Sequence, residues 1–382
     1  MVKGVCIIHG GDISKQFGGT HRVVTFAKAL RDAGLLVHLV VPKPSSSFPE
    51  GIDGIHIHTV PVGEKGTMDE ALRGLFVLLK GERVAKTSRC VVQIEHSSLA
   101  GLATLIGYSV FGYVVDVHDL SFDDPRYLDL VPISIFPKLI GRSMYELEKR
   151  GVSRASKIIA VSEPMKEFFV KEWGIPEERI EVIPNGCFAE KLDKFKEGVE
   201  EEGSIGLIGG LSYKVDHDKI IRLAKEVREI KKIYVIGDGP MRHKFLRRLR
   251  EERINKVIVT GYLPHEVAYG ILARSQVCIL PLRDTFHTRV AMHIRMLEYA
   301  VLGKAIAADR DATARILEQH NAALVSDPSD PDEFVENVRR LLEDENLRRK
   351  LGENARRLAK EFTWEKQGKK LVKIYEEFIE DV

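Results

Sequence analysis

The sequence IRMLEYAVLGKAIAA, from Ile294 to Ala308, is almost entirely apolar except for a carboxylate near its centre. Its first half has the pattern of a helix, Gly303 and Lys304 mark a turn, and the residues beyond have the pattern of a strand. A helix that leads through a glycine turn into a strand is the repeating unit of an α/β protein. Because burying an unpaired charge is expensive, Glu298 needs either a partner within the protein or a position that a ligand can reach.

The same alternation of apolar runs and amphipathic stretches extends along the whole chain. VCIIHG, LLVHLVVP and KIIAVSE have the composition of strands, and THRVVTFAKALRDAG is an amphipathic helix that stops at Gly34. This alternation predicts right-handed βαβ units and parallel sheets. The pattern restarts after RIEVIPNGC, and the acidic KEGVEEEG has the composition of an exposed connection. We therefore predict two doubly wound domains, residues 1–185 and 186–362, with ligand sites at the carboxyl ends of their strands.

The composition is that of a soluble globular protein. Of 382 residues, 44% are hydrophobic and 30% are charged, and 58 basic against 56 acidic groups leave a net charge of +2. This balance gives no general argument for nucleic-acid binding, and the preference for Lys, Arg and Glu is typical of thermophilic proteins. Four cysteines without metal or redox spacing predict reduced, buried thiols in a cytosolic protein, and no signal peptide is recognised.

The uncharged segment from Ser97 to Val115 approaches the length of a membrane span. It contains three glycines and leads into YVVDVHD, which has the character of a strand. We therefore predict a buried helix followed by a buried parallel strand rather than a membrane span.

Glycine turns follow three of the predicted strands. Gly18 and Gly19 open the first helix, Gly209-Gly210 end the first strand of the second domain, and Gly237 belongs to a later turn. Glycines let a ligand approach the backbone, and helix N-terminal amides suit an anion. Each turn taken alone is also compatible with an ordinary tight turn, so the three together carry the prediction of a binding site.

His118 and Asp119 directly follow an apolar strand. A catalytic pair would be displayed at this place, because ligand sites of open α/β sheets lie beyond the strand ends. The alternative is that Asp119 caps a helix or turn beside a surface histidine.

The ordered motifs of the chain resemble those of glycosyltransferase family 4, retaining enzymes of the GT-B fold that use nucleotide-activated sugars. The matching segments cover nearly the full length: FGGTHRVV, VHD, ASKIIAVSEPMKEFF, RIEVIPNGC, IGG, VIGDGP, VTGYLPHEV and RMLEYAVLGKAI. The resemblance implies an α/β protein of two Rossmann-like domains that face each other across a cleft. It implies an acceptor side on the first domain and a donor side on the second, with residues 363–382 as a helix that packs back on the first.

The resemblance also implies roles for individual residues. Glu298 would accept hydrogen bonds from the two ribose hydroxyls of the donor nucleotide, unless it pairs with Arg295 one helical turn earlier. His118 would lie beside the reacting sugar, whereas Asp119 is a catalytic candidate from its position after the strand alone. The expected donor contacts are Gly18, Gly19, Gly210, Lys214, Gly237, Tyr262, Leu263, Arg289, Arg295 and Glu298.

The chain departs from the family pattern at several positions. Leu211 stands where many relatives carry a phosphate-binding arginine, and Val290 stands where the commonest motif has a first glutamate. One branch of the family also lacks that glutamate, and Arg295 replaces its lysine. The residues that would substitute for the usual glycine-rich loop are His287, Thr288 and Arg289.

Three segments have the acid-x-acid spacing of a possible metal site: DHD at 216–218, DRD at 309–311 and DPD at 330–332. The first and last precede helices, where aspartate is a natural N-cap. The DRD segment follows a strand and is the candidate to test. The resemblance implies no metal cofactor, with the nucleoside diphosphate sugar acting as a co-substrate.

These features together predict a cytoplasmic glycosyltransferase that moves a sugar from a nucleoside diphosphate sugar to an acceptor hydroxyl. The acceptor would be a polysaccharide, a glycolipid or a small molecule. A nucleotide-sugar epimerase of the same fold and a non-catalytic GT-B partner subunit are the alternatives. The basic stretch MRHKFLRRLREER is expected to be a solvated face, or else to touch anionic lipid at the inner membrane face. No nucleic-acid partner is expected.

Overall fold

The computed structural model describes residues 4–15, 18–61, 67–108, 112–122, 136–188, 195 and 199–380. By its internal contacts the chain divides into two compact units, Met1–Asn185 together with Trp364–Val382, and Gly186–Thr363. The predicted connection KEGVEEEG lies partly outside the described residues.

The first unit is built on a parallel seven-stranded sheet. Its strands are β1 (Gly4–Ile8), β2 (Leu36–Pro42), β3 (His56–Val60), β4 (Cys90–Glu95), β5 (Tyr113–Val117), β6 (Lys157–Ala160) and β7 (Ile180–Val182). The strands are arranged in the order β3-β2-β1-β4-β5-β6-β7. Its described helices are α1 (Gly18–Asp32), α2 (Thr67–Ser88), α3 (Ser97–Leu105), α4 (Phe136–Ser153) and α5 (Glu163–Trp173), and a 3-10 turn at Glu177–Arg179 precedes β7.

The second unit is built on a parallel six-stranded sheet. Its strands are β8 (Glu201–Ile208), β9 (Lys232–Ile236), β10 (Val257–Gly261), β11 (Ser275–Leu280), β12 (Ala305–Asp309) and β13 (Leu324–Ser326), in the order β10-β9-β8-β11-β12-β13. Its described helices are α6 (His217–Glu226), α7 (Arg242–Glu251), α8 (His265–Arg274), α9 (Phe286–Val290), α10 (Ile294–Val301), α11 (Ala312–Gln319), α12 (Pro331–Glu343) and α13 (Glu345–Ala359), followed by a 3-10 turn at Lys360–Phe362.

Each sheet reverses its strand order at one place. The reversal lies between β1 and β4 in the first unit and between β8 and β11 in the second. In open α/β sheets ligands bind beyond the carboxyl ends of the strands at such a reversal. The topology therefore predicts ligand sites among the residues that follow these four strands.

The last helix, α14 (Trp364–Glu380), packs on α1 within the first unit. Trp364 meets Phe26 edge-on with ring centroids 6.3 Å apart. Gly368 lies so close to Ala29 that a Cβ there would stand 2.7 Å from the Ala29 Cβ, so glycine permits the close helix contact. Tyr375 reaches the sheet and donates a hydrogen bond to the side chain of Gln93.

The predicted strands and helices are present where the sequence pattern placed them, with a few differences. The uncharged segment forms α3 and β5, as predicted, and no described helix is long and apolar enough to cross a bilayer. All four cysteines are buried and free. The segment DPDEFVENVRRLLEDENLRRKLGENARRLAKEF has the pattern of one long helix. The structure instead separates α12 from α13 at Asp344, because the Asp344 carboxylate caps the amide of Leu347 at 2.9 Å.

Two helices of the second unit had not been recognised in the sequence. The side chain of Asp311 accepts a hydrogen bond from the Ala314 amide at 2.6 Å and begins α11. The segment DTFHTRVAMH contains the five-residue helix α9, which Thr285 and Thr288 cap reciprocally. Both caps are local side-chain signals that a search for apolar periodicity alone does not detect.

A buried ion pair fixes α6 to the end of β12. Lys219 Nζ lies 2.7 Å from Asp309 Oδ1, and the two side chains are 2% and 0% exposed. The lysine also donates to the carbonyl of Pro328, and Asp309 Oδ2 accepts from the amide of Leu282 at 2.7 Å. Because both ions are out of water, each depends on the other.

We predict that Lys219→Met lowers the free energy of unfolding by about 3–5 kcal/mol, since it leaves the Asp309 carboxylate buried and unpaired. Urea denaturation followed by circular dichroism measures this change. The control is Lys225→Met on the same helix, whose lysine is 51% exposed and pairs with Glu252. The control should change stability by less than about 1 kcal/mol. Equal effects of the two variants would contradict this account.

Candidate active site

In the first unit, polar side chains collect beyond β1 and β4, which flank the sheet reversal, and beyond the neighbouring β5. His9 follows β1, Glu95 ends β4 with His96 next to it, and His118 follows β5. His96 has a positive φ of 89°, and its ring meets that of His118 edge-on at 4.8 Å between centroids. The predicted catalytic histidine therefore belongs to a cluster of three histidines and one glutamate.

His118 faces the glycine pair that opens α1. A Cβ on residue 19 would lie 3.1 Å from His118 Nε2, so Gly19 leaves open the space in front of this nitrogen. The imidazole is 9% exposed. Burial, and next the neighbouring His96, lower the pKa of His118 well below its ordinary value. The ring is therefore neutral at physiological pH, with one nitrogen that donates and one that accepts.

A buried arginine ties α1 to β5 beneath this cluster. Arg22 donates to both oxygens of Asp116, with Nε–Oδ2 and Nη2–Oδ1 distances of 2.7 and 2.8 Å, and both side chains are fully buried. Its third nitrogen, Nη1, donates to the Pro184 carbonyl and to Asn185 Oδ1 at 3.3 Å each. The first turn of α1 is thus fixed relative to the strand that carries His118.

Glu95, Asp116 and His118 form a three-residue group whose potential ligand atoms lie within 4.8 Å of one another. The group does not fit a metal ion, because the Arg22 guanidinium already occupies both oxygens of Asp116.

Asp119 is partly exposed, and its charge opposes the lowering of the pKa of His118. Glu95 Oε2 lies 4.0 Å from His118 Nδ1, and the sequence analysis assigns this glutamate no role although it ends the predicted strand CVVQIEHS.

In the second unit, two glycine turns interlock beyond β8 and β9. Gly209 has a φ of 117° and Gly237 a φ of 145°, and a side chain on Gly237 would overlap the carbonyl of Gly209. Gly210 has more room, since a Cβ at this position would have its nearest neighbouring atom 3.5 Å away. Gly237 is also bridged to Gly261 at the end of β10. The turns that carry Gly210, Gly237 and Tyr262 are therefore neighbours.

The Arg295 guanidinium lies against the first of these turns. A Cβ on Gly209 would stand 2.7 Å from Arg295 Cζ. Arg295 Nη1 is buried and has no hydrogen-bond partner among the residues that the structure describes. Burial lowers the pKa of His293, and the charges of Arg295 and Lys214 lower it further. Asp311, whose Oδ2 lies 2.6 Å from His293 Nδ1, opposes this change. This positive region beside exposed glycine backbone is suited to an anion.

Glu298, one helical turn beyond Arg295, receives its hydrogen bond from α8. Tyr269 donates its hydroxyl to Glu298 Oε1 at 2.8 Å, and no ion pair between Glu298 and Arg295 forms within the described residues. Burial raises the pKa of Glu298, whereas the Tyr269 hydrogen bond and the Arg295 charge oppose the rise. Tyr269 is thus the internal partner of Glu298. Because Tyr269 donates to Oε1, the Oε2 atom of Glu298 is left for another donor.

Tyr299 anchors α10, the helix that carries Arg295 and Glu298, to the end of β8. Its fully buried hydroxyl accepts a hydrogen bond from the Ile208 amide at 2.9 Å, directly before Gly209. Neither Tyr269 nor Tyr299 had been assigned a role from the sequence. Tyr299 directly follows Glu298 in the segment RMLEYAVLGKAI that resembles the family, whereas Tyr269 lies in a helical stretch without such a signal.

The remaining predicted donor contacts differ in their availability. Tyr262 follows β10 and is 75% exposed, and Leu263 is partly exposed beside it. Arg289 donates to both oxygens of Asp284 at 2.6 and 2.7 Å, so its charge is already matched. Leu211 is buried, and its backbone joins the interlocked turns by bonding to Asp238.

The three acid-x-acid segments have structural partners. Asp216 and Asp330 cap α6 and α12, as their positions before helices predicted. In the DRD segment, Asp309 pairs with Lys219, and Asp311 caps α11 and contacts His293. None of these four carboxylates is left as a preformed metal ligand by the contacts around it.

Comparison with known proteins agrees with this architecture. A model of Glycosyltransferase Family 4 matches residues 17–190, and a model of Glycosyl transferases group 1 matches residues 202–344. An uncharacterised glycosyltransferase of Methanocaldococcus jannaschii is 25% identical over 257 residues, which are 64% of this chain and 62% of that relative. The alpha-D-kanosaminyltransferase of Streptomyces kanamyceticus is 21% identical over 94% of this chain and 95% of that protein.

Solved structures share the fold over the full length. Sucrose-phosphate synthase from Thermosynechococcus elongatus superposes with a TM-score of 0.82 at 14% identity and 100% coverage of both chains. Anabaena HepE in complex with UDP-glucose superposes with a TM-score of 0.72 at 17% identity, covering 98% of this chain and 99% of that one. The chain belongs to glycosyltransferase family 4 and has the GT-B fold.

We predict that Tyr269→Phe raises the pKa of Glu298 further, because it removes a hydrogen bond that favours the ionised carboxylate. Carbon-13 NMR titration of glutamate-labelled protein measures the pKa, with Glu298 assigned by Glu298→Gln. Tyr262→Phe is the matched control, since the exposed ring of Tyr262 lies in the turn after β10 and not on α8. A pKa of Glu298 that is the same in wild type, Tyr269→Phe and Tyr262→Phe would contradict the assigned hydrogen bond.

Proposed function

We propose that this protein transfers a sugar from a nucleoside diphosphate sugar to an acceptor hydroxyl with retention of the anomeric configuration. The observation that carries the proposal is one helix, α10, which carries two polar side chains one turn apart. Arg295 has a buried Nη1 without a hydrogen-bond partner in the described part of the chain, and Glu298 has a carboxylate that accepts from Tyr269. The pair matches a diphosphate joined to a ribose, which present an anion and a diol a short distance apart.

Arg295 and Lys214 are proposed to bind the diphosphate beside the backbone of Gly209 and Gly210. An arginine in this position compensates for Leu211, since it brings a guanidinium to the same turn from a different element. Cations at this place also stabilise the charge that develops on the departing nucleoside diphosphate. We therefore propose that catalysis needs no metal ion.

Glu298 is proposed to bind the ribose. Its Oε1 is occupied by the Tyr269 hydroxyl, and an ionised carboxylate retains further acceptor sites for the two ribose hydroxyls. Tyr262 and Leu263 are proposed to lie beside the nucleobase. The UDP-glucose bound by Anabaena HepE makes UDP-glucose the first donor to test here.

In the first unit, His118 is proposed to lie beside the transferred sugar, together with the backbone at Gly18 and Gly19. Asp119 is proposed to act with it, because its charge reaches the imidazole. The ring is neutral through burial, so it can hydrogen-bond a sugar hydroxyl without adding a positive charge to the donor.

The two alternative functions make different demands on these residues. An epimerase would convert donor without an acceptor, and product analysis with donor alone identifies it. A non-catalytic subunit has no need of a guanidinium nitrogen without a hydrogen-bond partner beside exposed glycine backbone. The buried Arg295 nitrogen, which lacks a partner among the described residues, therefore supports a working donor site over the non-catalytic alternative.

We predict that Glu298→Ala weakens binding of UDP-glucose at least about 100-fold, since two hydrogen bonds to a charged group are lost at about 1.5–3 kcal/mol each. Isothermal titration calorimetry in EDTA measures the dissociation constant, and the melting temperature reports on folding. The control is Glu318→Ala, whose carboxylate is 44% exposed and contacts Arg310. Unchanged affinity in Glu298→Ala would refute the ribose assignment.

A peripheral membrane contact is a separate proposal, and α2 offers the better surface for it. Leu72, Phe76 and Leu79 are 42%, 47% and 48% exposed at helical spacing, and Lys80 and Arg83 are exposed beside them. In the basic helix α7, by contrast, Arg248 is matched by Asp218 and Glu252. An apolar stripe flanked by cations fits the surface of an anionic bilayer, where a lipid acceptor would be found.

We predict that the protein sediments with vesicles containing anionic lipid and that Phe76→Ser together with Leu79→Ser reduces the bound fraction. Arg247→Ser on α7 serves as the control and should leave binding unchanged. Binding that is lost in the control but kept in the α2 variant would transfer the proposed contact to α7.

A further inference from the structure

Three buried side chains connect the last helix to the histidine of the proposed sugar site. The Tyr375 hydroxyl donates to Gln93 Oε1 at 2.6 Å, and Gln93 Nε2 donates to Glu95 Oε1 at 2.5 Å. Tyr375 and Gln93 are fully buried, and Glu95 is 1% exposed. The other carboxyl oxygen, Glu95 Oε2, lies 4.0 Å from His118 Nδ1.

The direction of these hydrogen bonds follows from the chemistry of each group. Burial raises the pKa of Tyr375 well above its ordinary value, so its hydroxyl keeps its proton and donates. An amide that accepts at its oxygen has only its nitrogen to offer to the next group. Glu95 Oε1 therefore accepts, and any proton on this carboxyl group sits on Oε2, the oxygen nearer His118.

The surroundings of Glu95 favour such a proton. Burial, and next the Asp116 charge, raise the pKa of Glu95 well above its ordinary value, while Gln93 and Arg22 oppose the rise only in part. A carboxylic acid kept neutral by an apolar site can donate a hydrogen bond at neutral pH. The donor at Oε2 and the acceptor at His118 Nδ1 each have no hydrogen-bond partner among the described residues.

The distance between these two atoms is about 1 Å longer than a hydrogen bond, so the inference requires the two side chains to approach each other by about that amount. Formation of this bond makes Nδ1 the acceptor nitrogen of the neutral ring. The ring proton then resides on Nε2, the nitrogen that faces Gly19 at the opening of α1.

We propose that Tyr375, Gln93 and Glu95 form a positioning relay that keeps the ring proton of His118 on Nε2. The inference rests on the proposed function, in which this nitrogen faces the transferred sugar. His118 then acts as a hydrogen-bond donor to a hydroxyl oxygen of that sugar rather than as a general base. The last helix thereby contributes to the site through Tyr375, which lies far along the chain from the other members.

The relay has a protonated Glu95 beside His118, and the alternative is an ionised Glu95 paired with His118. The two predict different effects of Glu95→Gln on activity. Glu95→Gln keeps an acceptor for Gln93 and an N–H donor for His118, so it should retain most of the activity that Glu95→Leu loses. An ionised carboxylate would instead be replaced poorly by an amide, which favours the wrong tautomer. The assay is release of nucleoside diphosphate from the donor that the wild-type protein uses.

We expect Glu95→Leu to lower kcat on the order of 10- to 100-fold, the usual size of effect for partners behind a functional group, with a smaller change in KM for the donor. Tyr375→Phe should lower kcat in the same direction while preserving the packing of the ring. The matched control is Tyr113→Phe, which loses a buried hydrogen bond of 2.7 Å to the Gly151 carbonyl in the same unit. The control should keep kcat.

Nitrogen-15 NMR of histidine-labelled protein reads the tautomer directly and does not require activity, with His118 assigned by His118→Gln. Wild type and Glu95→Gln should show a proton on Nε2 only, and Glu95→Leu should show a population with the proton on Nδ1. A wild-type Nδ1–H ring, unchanged nitrogen shifts in Glu95→Leu, or equal activity loss in Glu95→Gln and Glu95→Leu would overturn the relay.

The two proposals fail separately. If the wild-type protein releases no nucleoside diphosphate from any donor, the proposed function fails, and the NMR measurement still decides the relay. If the wild-type protein is active but its His118 carries the proton on Nδ1, the relay fails and the proposed function stands.

Discussion

The ion pair between Arg22 and Asp116 joins the helix and the strand on which the proposed sugar site of the first unit is built. Both side chains are fully buried, and the guanidinium joins α1 to β5 and to the backbone at Pro184. A pair so far from water stabilises the fold little in net terms, but the loss of either partner would leave a buried charge. The pair also has a consequence for function, because the Asp116 charge helps to keep the neighbouring Glu95 protonated.

In the second unit, Arg295 differs from Arg22 in that its hydrogen bonds are incomplete among the described residues. Arg295 lies against Gly209 with one nitrogen lacking a hydrogen-bond partner in the described part of the chain, whereas every nitrogen of Arg22 is matched. A buried group of this kind calls for an explanation, and a ligand anion supplies one. The same reasoning applies to Glu298, whose tyrosine partner occupies one oxygen and leaves the other available.

The fold could be predicted from the sequence because alternating apolar runs and amphipathic helices persist over the whole chain. The helix break at Asp344 and the start of α11 at Asp311 were missed, since each depends on one capping side chain. Glu298 and His118 were found because they interrupt or end apolar runs. Tyr375 could not be found in this way, because nothing near it in sequence indicates that its hydroxyl meets a glutamine 282 positions earlier in the chain.

A crystal structure of the protein with UDP, grown without divalent metal, tests the central claim most directly. The account predicts the diphosphate on Arg295 beside Gly209 and both ribose hydroxyls within hydrogen-bond distance of Glu298. A nucleotide bound elsewhere, or a Glu298 carboxylate that contacts only Tyr269 while the nucleotide is present, would contradict it.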